Sequence, residues 1–519
     1  MQLSVIIPVY NSEKFIESAL KSALRQNISD YEIVAVDDGS TDRSGEILDS
    51  YAALHPEIHV IHQGNQGVSG ARNTGIDAAS GKYLMFMDAD DEYVENSLGW
   101  MLRTAEKRGA DLVIGEAHRI ETFSERALNQ SVVLSQKKTI RKDDPDILYN
   151  ITIWNKLYRR SIVDKYHLRF PKLKHVEDGV FYLTYVSKCE KIVGCPKFIY
   201  KYYVRSSLVG INALKSLNRQ TFDDAMSAVR EIEQLFADYP EEFRKEWLMH
   251  TLRITIISEY YRRFWLMDES MERAVLERSE EYHRRVGEEG WKRIQKIYSG
   301  LSIGDHLLRR EELLQNPAVS ILIPAGLSPE KLNASLDTLY YQMFPEFEVV
   351  LDSSYGTDLA GQYRWMDNLH LCRCGERGWG DLLSASKGQY IQILGDAMVY
   401  DEKSLVVMVK SLGKSLRDFV SMKPVHFQNG EASDNSFINE IFTKIKIPSD
   451  SFRKVSIQAD HLIGNKLFRR PAAERLARTG ITDYTELTAY AFRNMLYERT
   501  EQCAIGTFED LPMSAQGGM

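Results

Sequence analysis

Hydrophobic and polar positions alternate with changing period along the first hundred residues. Leu3–Pro8 is a short apolar run, typical of a strand that is buried on both faces of a parallel sheet. Apolar residues then recur at helical spacing between Phe15 and Leu24, which predicts an amphipathic helix. Further strands are predicted at 32–36, 59–62 and 83–87, and further helices at 41–54 and 68–79. The alternation of strand and helix predicts an α/β fold with a doubly wound, Rossmann-like sheet.

Polar residues follow three of the predicted strands. They are the segments Val9–Asn11, Asp37–Asp38 and Asp88–Asp91. Because ligands of doubly wound sheets bind outside the carboxyl ends of the strands, we expect the three segments to meet at one edge. Mg²⁺ and Mn²⁺ take oxygen ligands, commonly one or two carboxylates together with substrate phosphates. Asp88 and Asp90 are therefore candidate metal ligands. The alternative, ordinary loop acids, is disfavoured by the neighbouring Asp37–Asp38 pair.

Length, charge and cysteine usage narrow the class of protein. A chain of 519 residues is too long for one hydrophobic core, so two or three domains are expected. The net charge of −8 gives no basic field, which argues against nucleic acid as a partner. Five scattered cysteines form no disulfide framework and indicate a reducing compartment. No signal-peptide pattern is present, and no apolar run approaches the roughly 20 residues that span a bilayer. We expect a cytoplasmic protein, with peripheral contact to the inner face of the cell membrane left open.

The chain repeats part of its own pattern after a helical middle. Residues 211–312 are rich in Glu, Arg, Leu and aromatic residues, and they predict several helices. Val319–Pro324 then repeats Leu3–Pro8, and Asn465–Arg470 repeats Asn155–Arg160. Ordered repeats of this kind predict a second copy of the same fold.

The second copy lacks the paired acids of the first. When the two are aligned on the glycine before each fourth strand, Asp88 falls on Gly395 and Asp90 on Ala397. Asp396 remains between them, but a single carboxylate is a weak metal site. The predicted domains are a catalytic domain (1–210), a helical linker (211–313), a degenerate and non-catalytic repeat (314–505) and a flexible tail (506–519).

Seven ordered motifs in the first 210 residues resemble those of glycosyltransferase family 2. They are Pro8–Asn11, Val36–Asp42, Asn65–Gly75, Asp88–Asp91, Trp154–Tyr158, Glu177–Phe181 and Tyr202–Arg205. The resemblance implies the GT-A fold and an inverting, metal-dependent transfer of a hexose from a UDP-sugar. It further implies kinship with bacterial enzymes of surface-polysaccharide and teichoic-acid assembly, and hence a lipid-linked or polymeric glycan acceptor.

The resemblance also implies roles for individual residues. Asp178 would be the catalytic base with Glu177 as its support, while Asp88 and Asp90 would hold Mn²⁺ or Mg²⁺. An exposed acid at a helix start, favoured by the helix dipole, is the alternative for Asp178. The residues implied in donor binding are Pro8, Val9, Tyr10, Asp37, Asp38, Arg72, Asp88, Ala89 and Arg205.

Several of these donor-side roles have structural alternatives. Asp38 would accept a hydrogen bond from the uracil ring, with Asp37 supporting its loop. Arg72 would bind the nucleotide base or the diphosphate of the donor, or else form an ion pair with a loop acid. Tyr10 would line the nucleotide pocket or pack as a core aromatic, and Trp154 would stack on a sugar ring or be buried.

Three other functions remain open at this point. The duplicated fold could belong to a bifunctional polymerase, or its second half could be a sugar-binding or dimerising module. A nucleotidyltransferase would also pair such a sheet with a metal held by acids. That class usually needs a loop rich in glycine and basic residues to hold a triphosphate, and Tyr10–Glu13 is not such a loop.

Overall fold

The computed structural model describes most of the chain and places it in two compact units. The described ranges are 1–121, 124–173, 176–203, 219–258, 260–261, 264–297, 307, 309–340, 344–356, 363, 366–375, 378–395, 398–400, 404–413, 417–428, 431–433, 466–495 and 497–507. One unit comprises the described residues from Met1 to Thr251, and the other those from Leu252 onward.

The first unit is built on a nine-stranded mixed sheet, as the sequence predicted. Its strands are β1 (Leu3–Val9), β2 (Tyr31–Asp37), β3 (Ile58–His62), β4 (Tyr83–Phe86), β5 (Glu92–Tyr93), β6 (Leu112–Glu121), β7 (Ser124–Ala127), β8 (Lys156–Arg159) and β9 (Ile192–Tyr203). They lie in the order β3-β2-β1-β4-β8-β6-β9-β5, with β7 paired to β6. The first four strands pair in parallel, whereas β8 is antiparallel to both of its neighbours. Every residue of β1 and β2 is buried, which explains why apolar residues predominate in both strands.

Helices cover this sheet. They are α1 (Ile16–Leu24), α2 (Ser44–Ala52), α3 (Gly67–Ala78), α4 (Ser97–Arg108), α5 (Asn129–Gln136), α6 (Arg160–Lys165), α7 (Glu177–Lys188), α8 (Arg219–Leu235) and α9 (Glu241–His250), with a 3₁₀ turn at Pro145–Tyr149. In α1 the buried side chains Ile16, Ala19, Leu20 and Ala23 recur at helical spacing. The parallel strands and α3 that position the candidate site therefore lie where the hydrophobic pattern predicts them.

The second unit contains another nine-stranded sheet. Its strands are β10 (Val319–Ile323), β11 (Phe347–Asp352), β12 (Leu369–Cys372), β13 (Tyr390–Ile393), β14 (Met398–Tyr400), β15 (Phe419–Gln428), β16 (Glu431–Ser433), β17 (Lys466–Arg469) and β18 (Tyr497–Thr507). The order β12-β11-β10-β13-β17-β15-β18-β14, with β16 on β15, is that of the first sheet position by position. Its helices are α10 (Glu269–Ile297), α11 (Arg310–Gln315), α12 (Pro329–Leu339), α13 (Trp379–Ala385), α14 (Ser404–Gly413), α15 (Arg470–Ala477) and α16 (Tyr484–Asn494). Shorter turns lie at Thr251–Ser258 (π), Phe264–Leu266 and Ser353–Tyr355 (both 3₁₀).

A Ser–Glu bracket ties the amino ends of three strands in the first unit. Ser4 Oγ on β1 donates to Glu32 Oε1 on β2 at 2.5 Å, and Gly81 N, just before β4, donates to Ser4 Oγ at 2.8 Å. A Cβ on Gly81 would lie 2.5 Å from Ser4 N, so only glycine fits there.

The second unit has the same bracket. Ser320 Oγ donates to Glu348 Oε1 at 2.6 Å, and Gly388 N donates to Ser320 Oγ at 2.7 Å. A Cβ on Gly388 would again lie 2.5 Å from the serine nitrogen. The two units therefore share strand order and this local arrangement. That the second is a degenerate copy of a catalytic domain stays a prediction.

The helical middle of the chain is divided between the two units. In the first unit, His250 of α9 packs against the ring of Tyr149, with centroids 5.4 Å apart. In the second, Arg310 of α11 is paired with Glu272 of α10 at 3.2 Å. The division therefore falls near Thr251, inside the segment predicted as a linker. The predicted boundaries at 210 and 313 stay predictions, and β18 extends to Thr507, just into the predicted tail.

Candidate active site

The loops that follow β1 and β2 are hydrogen-bonded to each other at the carboxyl edge of the first sheet. Asp38 N donates to Val9 O at 2.8 Å, and Thr41 N donates to Asn11 Oδ1 at 2.8 Å. Pro8 and Val9 are buried, whereas Tyr10 is 50% exposed. Tyr10 is therefore not a core aromatic, and its ring is accessible at the carboxyl edge of the sheet.

Asp38 is held under the loop that leads into α3. Its Oδ1 accepts from Gln63 Nε2 at 2.7 Å and from Gln66 N at 2.9 Å. Thr74 Oγ1 in turn donates to Gln63 Oε1 at 2.7 Å. The carboxylate is only 3% exposed, so its position is fixed before any ligand binds.

The carboxylate of Asp37 contacts the backbone of the loop after β2 and a histidine at the end of β3. Its Oδ1 accepts from Ser40 N at 3.0 Å, and its Oδ2 lies 2.9 Å from His62 Nδ1. The other ring nitrogen of His62 lies 3.1 Å from Asp49 Oδ1. Hydrogen bonding to Asp37 and then Asp49 raises the pKa of His62. Burial tends to raise the pKa of Asp37, but the hydrogen bonds from Ser40 and His62 outweigh it and leave that pKa lowered.

The acidic loop after β4 is organised by Tyr200 of β9. Asp88 N donates to Tyr200 Oη at 3.1 Å, and Tyr200 Oη donates to Asp91 Oδ2 at 2.8 Å. Asp91 is 1% exposed, and burial beside Asp88 and Asp90 raises the pKa of Asp91 to about 8. Asp91 is thus a buried structural acid, whereas Asp88 and Asp90 are half-buried and Ala89 between them is buried.

Arg72 of α3 joins the acidic loop to the first turn of α7. Its Nη2 donates to Asp88 Oδ1 at 3.0 Å and its Nη1 donates to Asp178 Oδ1 at 2.6 Å. Glu177 Oε1 lies 3.5 Å from the same Nη1. The guanidinium is 4% exposed and lies over the ring of Phe170 at 5.2 Å. Of the two interpretations of Arg72, the structure contains the ion pair.

Asp178 lies in the first turn of α7, where its carboxylate accepts from Arg72. Burial raises its pKa; Arg72 opposes this rise, Glu177 and Asp88 add to it, and the resulting pKa is about 7. Val176, immediately before α7, has φ of 62°, an unfavourable conformation for a β-branched residue. Strain of this kind is found where the surrounding structure holds a functional group in place.

The acidic loop offers the ligand chemistry that a divalent metal requires. The described residues hold no group of three His, Cys, Asp or Glu side chains arranged for a metal ion. Mg²⁺ and Mn²⁺ are commonly held by only one or two carboxylates, with phosphate oxygens completing the set. Asp88 and Asp90 supply two hard oxygen donors and are only half-buried, so these residues fit such an ion.

Three other residues of the family-like motifs are buried or lie outside the described ranges. Trp154 is 4% exposed and stacks on Tyr200, with centroids 4.4 Å apart, so it belongs to the core. Lys156 is fully buried, donates to Thr152 O at 2.5 Å, and burial lowers its pKa well below the usual value. Arg205 lies outside the described residues.

Sequence reasoning assigned no role to Tyr200 or His62. Tyr200 is part of no motif, and its contact with Asp88 and Asp91 spans more than a hundred residues of chain. His62 ends β3 at the same edge as Asp37, so its position at a strand end was the available signal.

The corresponding edge of the second sheet is filled by its own side chains. Gly395 follows β13 as Asp88 follows β4, and a Cβ on it would lie 2.5 Å from the ring of Tyr484. Counting back from the bracket glycine, Trp379 takes the place of Arg72 and is 2% exposed. Aromatic rings thus stand where the first unit has its charged cluster.

A tyrosine joins the loops that follow the first two strands of the second sheet. Tyr355 Oη donates to Pro324 O at 2.8 Å and accepts from Leu327 N at 2.9 Å. This side chain joins the loops after β10 and β11, the counterparts of the loops that hold Asp38. Asp396 and Ala397, named from the sequence, lie outside the described residues.

No helix in the described ranges is both long enough and apolar enough to cross a membrane.

Comparisons with known proteins converge on one family. Residues 4–167 match the family model described as Glycosyl transferase family 2. An uncharacterised glycosyltransferase of Bacillus subtilis, EpsJ, is 36% identical over 208 residues, which are 38% of this chain and 60% of EpsJ. The poly(ribitol-phosphate) beta-glucosyltransferase of Bacillus spizizenii is 31% identical over 210 residues, 40% of this chain and 32% of that protein. A solved structure of S. aureus TarS with UDP-GlcNAc has 21% identity and a TM-score of 0.47, covering 56% of this chain and 83% of that one. This chain thus spans less than two thirds of the length of EpsJ.

Proposed function

From the match of residues 4–167 to glycosyltransferase family 2, we propose that the protein is an inverting, metal-dependent hexosyltransferase. Its donor would be a UDP-sugar, and its acceptor a hydroxyl of a lipid-linked or polymeric glycan of the cell surface. The observation that carries the proposal is the pairing of Asp178 and Asp88 through one buried guanidinium, that of Arg72.

Asp178 is suited to act as the base. A general base works best when its pKa is close to the working pH, and burial raises the pKa of Asp178 to about 7. The acceptor hydroxyl would give its proton to this carboxylate as its oxygen bonds to the anomeric carbon. The bond from that carbon to the diphosphate breaks on the opposite face, and UDP departs with the bonding electrons.

Asp38 and the loops around it would receive the nucleotide. Both hydrogen bonds that hold Asp38 go to Oδ1, so Oδ2 can accept from the N–H of a uracil ring. Tyr10 at the rim, with Pro8 and Val9 behind it, would line the pocket. Asp88 and Asp90 would hold Mn²⁺ or Mg²⁺, which when bound stabilises the charge on the departing diphosphate.

The acceptor class and the setting are supported by a relative. The Bacillus spizizenii protein named as a poly(ribitol-phosphate) beta-glucosyltransferase is 31% identical to this chain over 210 residues. A surface polymer or its lipid-linked precursor is therefore the proposed acceptor, and the predicted cytoplasmic location at the inner membrane face is part of the same proposal.

The second unit is proposed to be non-catalytic. A bifunctional polymerase would need a second donor cleft. Gly395 in place of an acid, and the rings of Tyr484 and Tyr355, argue against one there. We propose that this half serves acceptor binding or self-association, and that the chain binds one donor.

The test is a panel of nucleotide sugars with Mn²⁺ or with EDTA, scored for free nucleotide released by slow hydrolysis. Release of UDP from one donor should require metal and should be lost in Asp90→Ala. The matched control is Asp77→Ala, which removes an acid of the same type from the exposed side of α3. Calorimetry with UDP and Mn²⁺ should give one site per chain.

Two results would contradict the proposal. Release of pyrophosphate from a nucleoside triphosphate would indicate the nucleotidyltransferase instead. Two equivalent UDP sites per chain would indicate a second working cleft and the bifunctional polymerase.

A further inference from the structure

The environment of Arg72 differs from that of a residue that binds a donor. Its guanidinium is 4% exposed, and its two terminal nitrogens are turned to carboxylates on different elements: Asp88 after β4, and Asp178 with Glu177 on α7. Its Nε is buried and has no hydrogen-bond partner among the described residues. The side chain thus forgoes one hydrogen bond while it holds acids from two elements.

We propose that Arg72 is a positioning residue that acts through Asp178. It fixes the carboxylate of Asp178 beside the metal-side acid Asp88. It does not itself bind the uracil ring or the diphosphate of the donor. The inference rests on the proposed function, because it assigns Arg72 a task only if Asp178 is the base.

The shape of arginine explains why this residue type is used. A guanidinium is planar and always charged, and its Nη1 and Nη2 point in fixed directions, so it sets the relative position of two carboxylates. Lysine carries the same charge as a single point on a flexible stem and cannot impose that geometry. Phe170 lies under the guanidinium at 5.2 Å and stacks on Phe181 of α7, with centroids 4.1 Å apart, which further fixes the plane.

The local charge argues against a swing of Arg72 toward a phosphate. Three carboxylates surround one positive group, so departure of the guanidinium would leave three unpaired acids in a largely buried space. A metal ion bound by Asp88 would compensate the negative charge of Asp88 only. Asp178 and Glu177 would still need Arg72 when the donor is in place.

The test is a double-mutant cycle in the full-length protein, with Arg72→Lys, Asp178→Asn and the combined variant. Donor hydrolysis with Mn²⁺ gives kcat and KM, and calorimetry with UDP gives nucleotide affinity. The control is Arg169→Lys: Arg169 Nη2 donates to Asp77 Oδ1 at 2.5 Å on the exposed side of the same helix. Thermal unfolding of each variant shows whether it is folded. Arg72→Gln, which keeps a planar amide donor, replaces Arg72→Lys if the latter does not fold.

Arg72→Lys should lower kcat about 100-fold, the scale of a misplaced general base, and should leave KM and UDP affinity within about threefold. The combined variant should be no slower than Asp178→Asn alone, because both changes disable one step. Arg169→Lys should match the parent protein. A tenfold loss of donor affinity at unchanged kcat, or rate losses that multiply in the combined variant, would overturn the inference. If Asp178→Asn itself turned over normally, the base assignment in the proposed function would be at fault instead.

Discussion

The raised pKa of Asp178 predicts a steep acid limb in the pH dependence of the reaction. Burial, with Glu177 and Asp88 nearby and Arg72 partly opposing, brings the pKa of this carboxyl to about 7. A base can accept a proton only when it is ionised. The value of kcat/KM should therefore fall about tenfold for each pH unit below about 7, and level off above it. Between pH 8 and pH 5 the loss should be about a hundredfold, whereas an ordinary aspartate with a pKa of about 3.9 would give a nearly constant rate.

Donor hydrolysis in the presence of Mn²⁺ measures this profile, because kcat/KM reports the ionisation of the free enzyme. Unfolding driven by Asp178 is not a competing cause. A carboxyl whose pKa is raised in the folded state contributes most to stability at low pH, and this contribution is lost as the pH rises through 7. The Asp178→Asn variant should be slow and should lack the limb. A parent profile that stays level from pH 5.5 to pH 8 would refute the assignment of Asp178 as a base with this pKa.

Two further predictions concern the scaffold. Gly81→Ala should destabilise the first unit by about 2 kcal/mol or more, because its Cβ would lie 2.5 Å from Ser4 N in the backbone of β1. Gly64→Ala should not destabilise the unit, because nothing lies within 4 Å of the added Cβ. Equal urea midpoints for the two variants would contradict the predicted difference. Lys156→Met should also destabilise, by about 1–3 kcal/mol, because Thr152 O loses its buried donor at 2.5 Å. Urea unfolding measures this loss, and an unchanged midpoint would mean that the buried amino group of Lys156 does not stabilise the fold.

The parallel half of the first sheet could be predicted because its signals are local. Each of β1 to β4 is a short, mainly apolar segment that is followed directly by the next helix or loop. The rest of the sheet, from β5 to β9, could not be predicted in the same way. Strands β6 and β9 pair in parallel across about 80 residues of chain, with register shifts on either side of Glu116. No periodicity within either strand encodes that partner or that irregularity.

The same distinction holds for the candidate site. The acids at the strand ends were found because the topology brings strand ends together. An ion pair of Arg72 with a loop acid was one of its two interpretations, but its pairing with Asp178 was not foreseen, because Asp178 lies 106 positions away on a different helix. The elevated pKa values of Asp178 and Asp91 depend on burial, which the sequence reports only indirectly.

The Ser–Glu bracket has a consequence for how this fold changes over evolutionary time. It ties the strands at their amino ends, through Ser4, Glu32 and Gly81 in the first unit and the same residue types in the second. The loops that would carry chemistry leave the opposite ends of those strands. Substitutions there can exchange acids for aromatic rings, as Gly395 and Tyr484 illustrate, without loosening the tethered ends. The residues that tie the strands together and the loops that would carry chemistry thus lie at opposite ends of the sheet. Loops grafted from a relative onto the carboxyl edge should therefore be tolerated better than substitutions at the tethered amino ends.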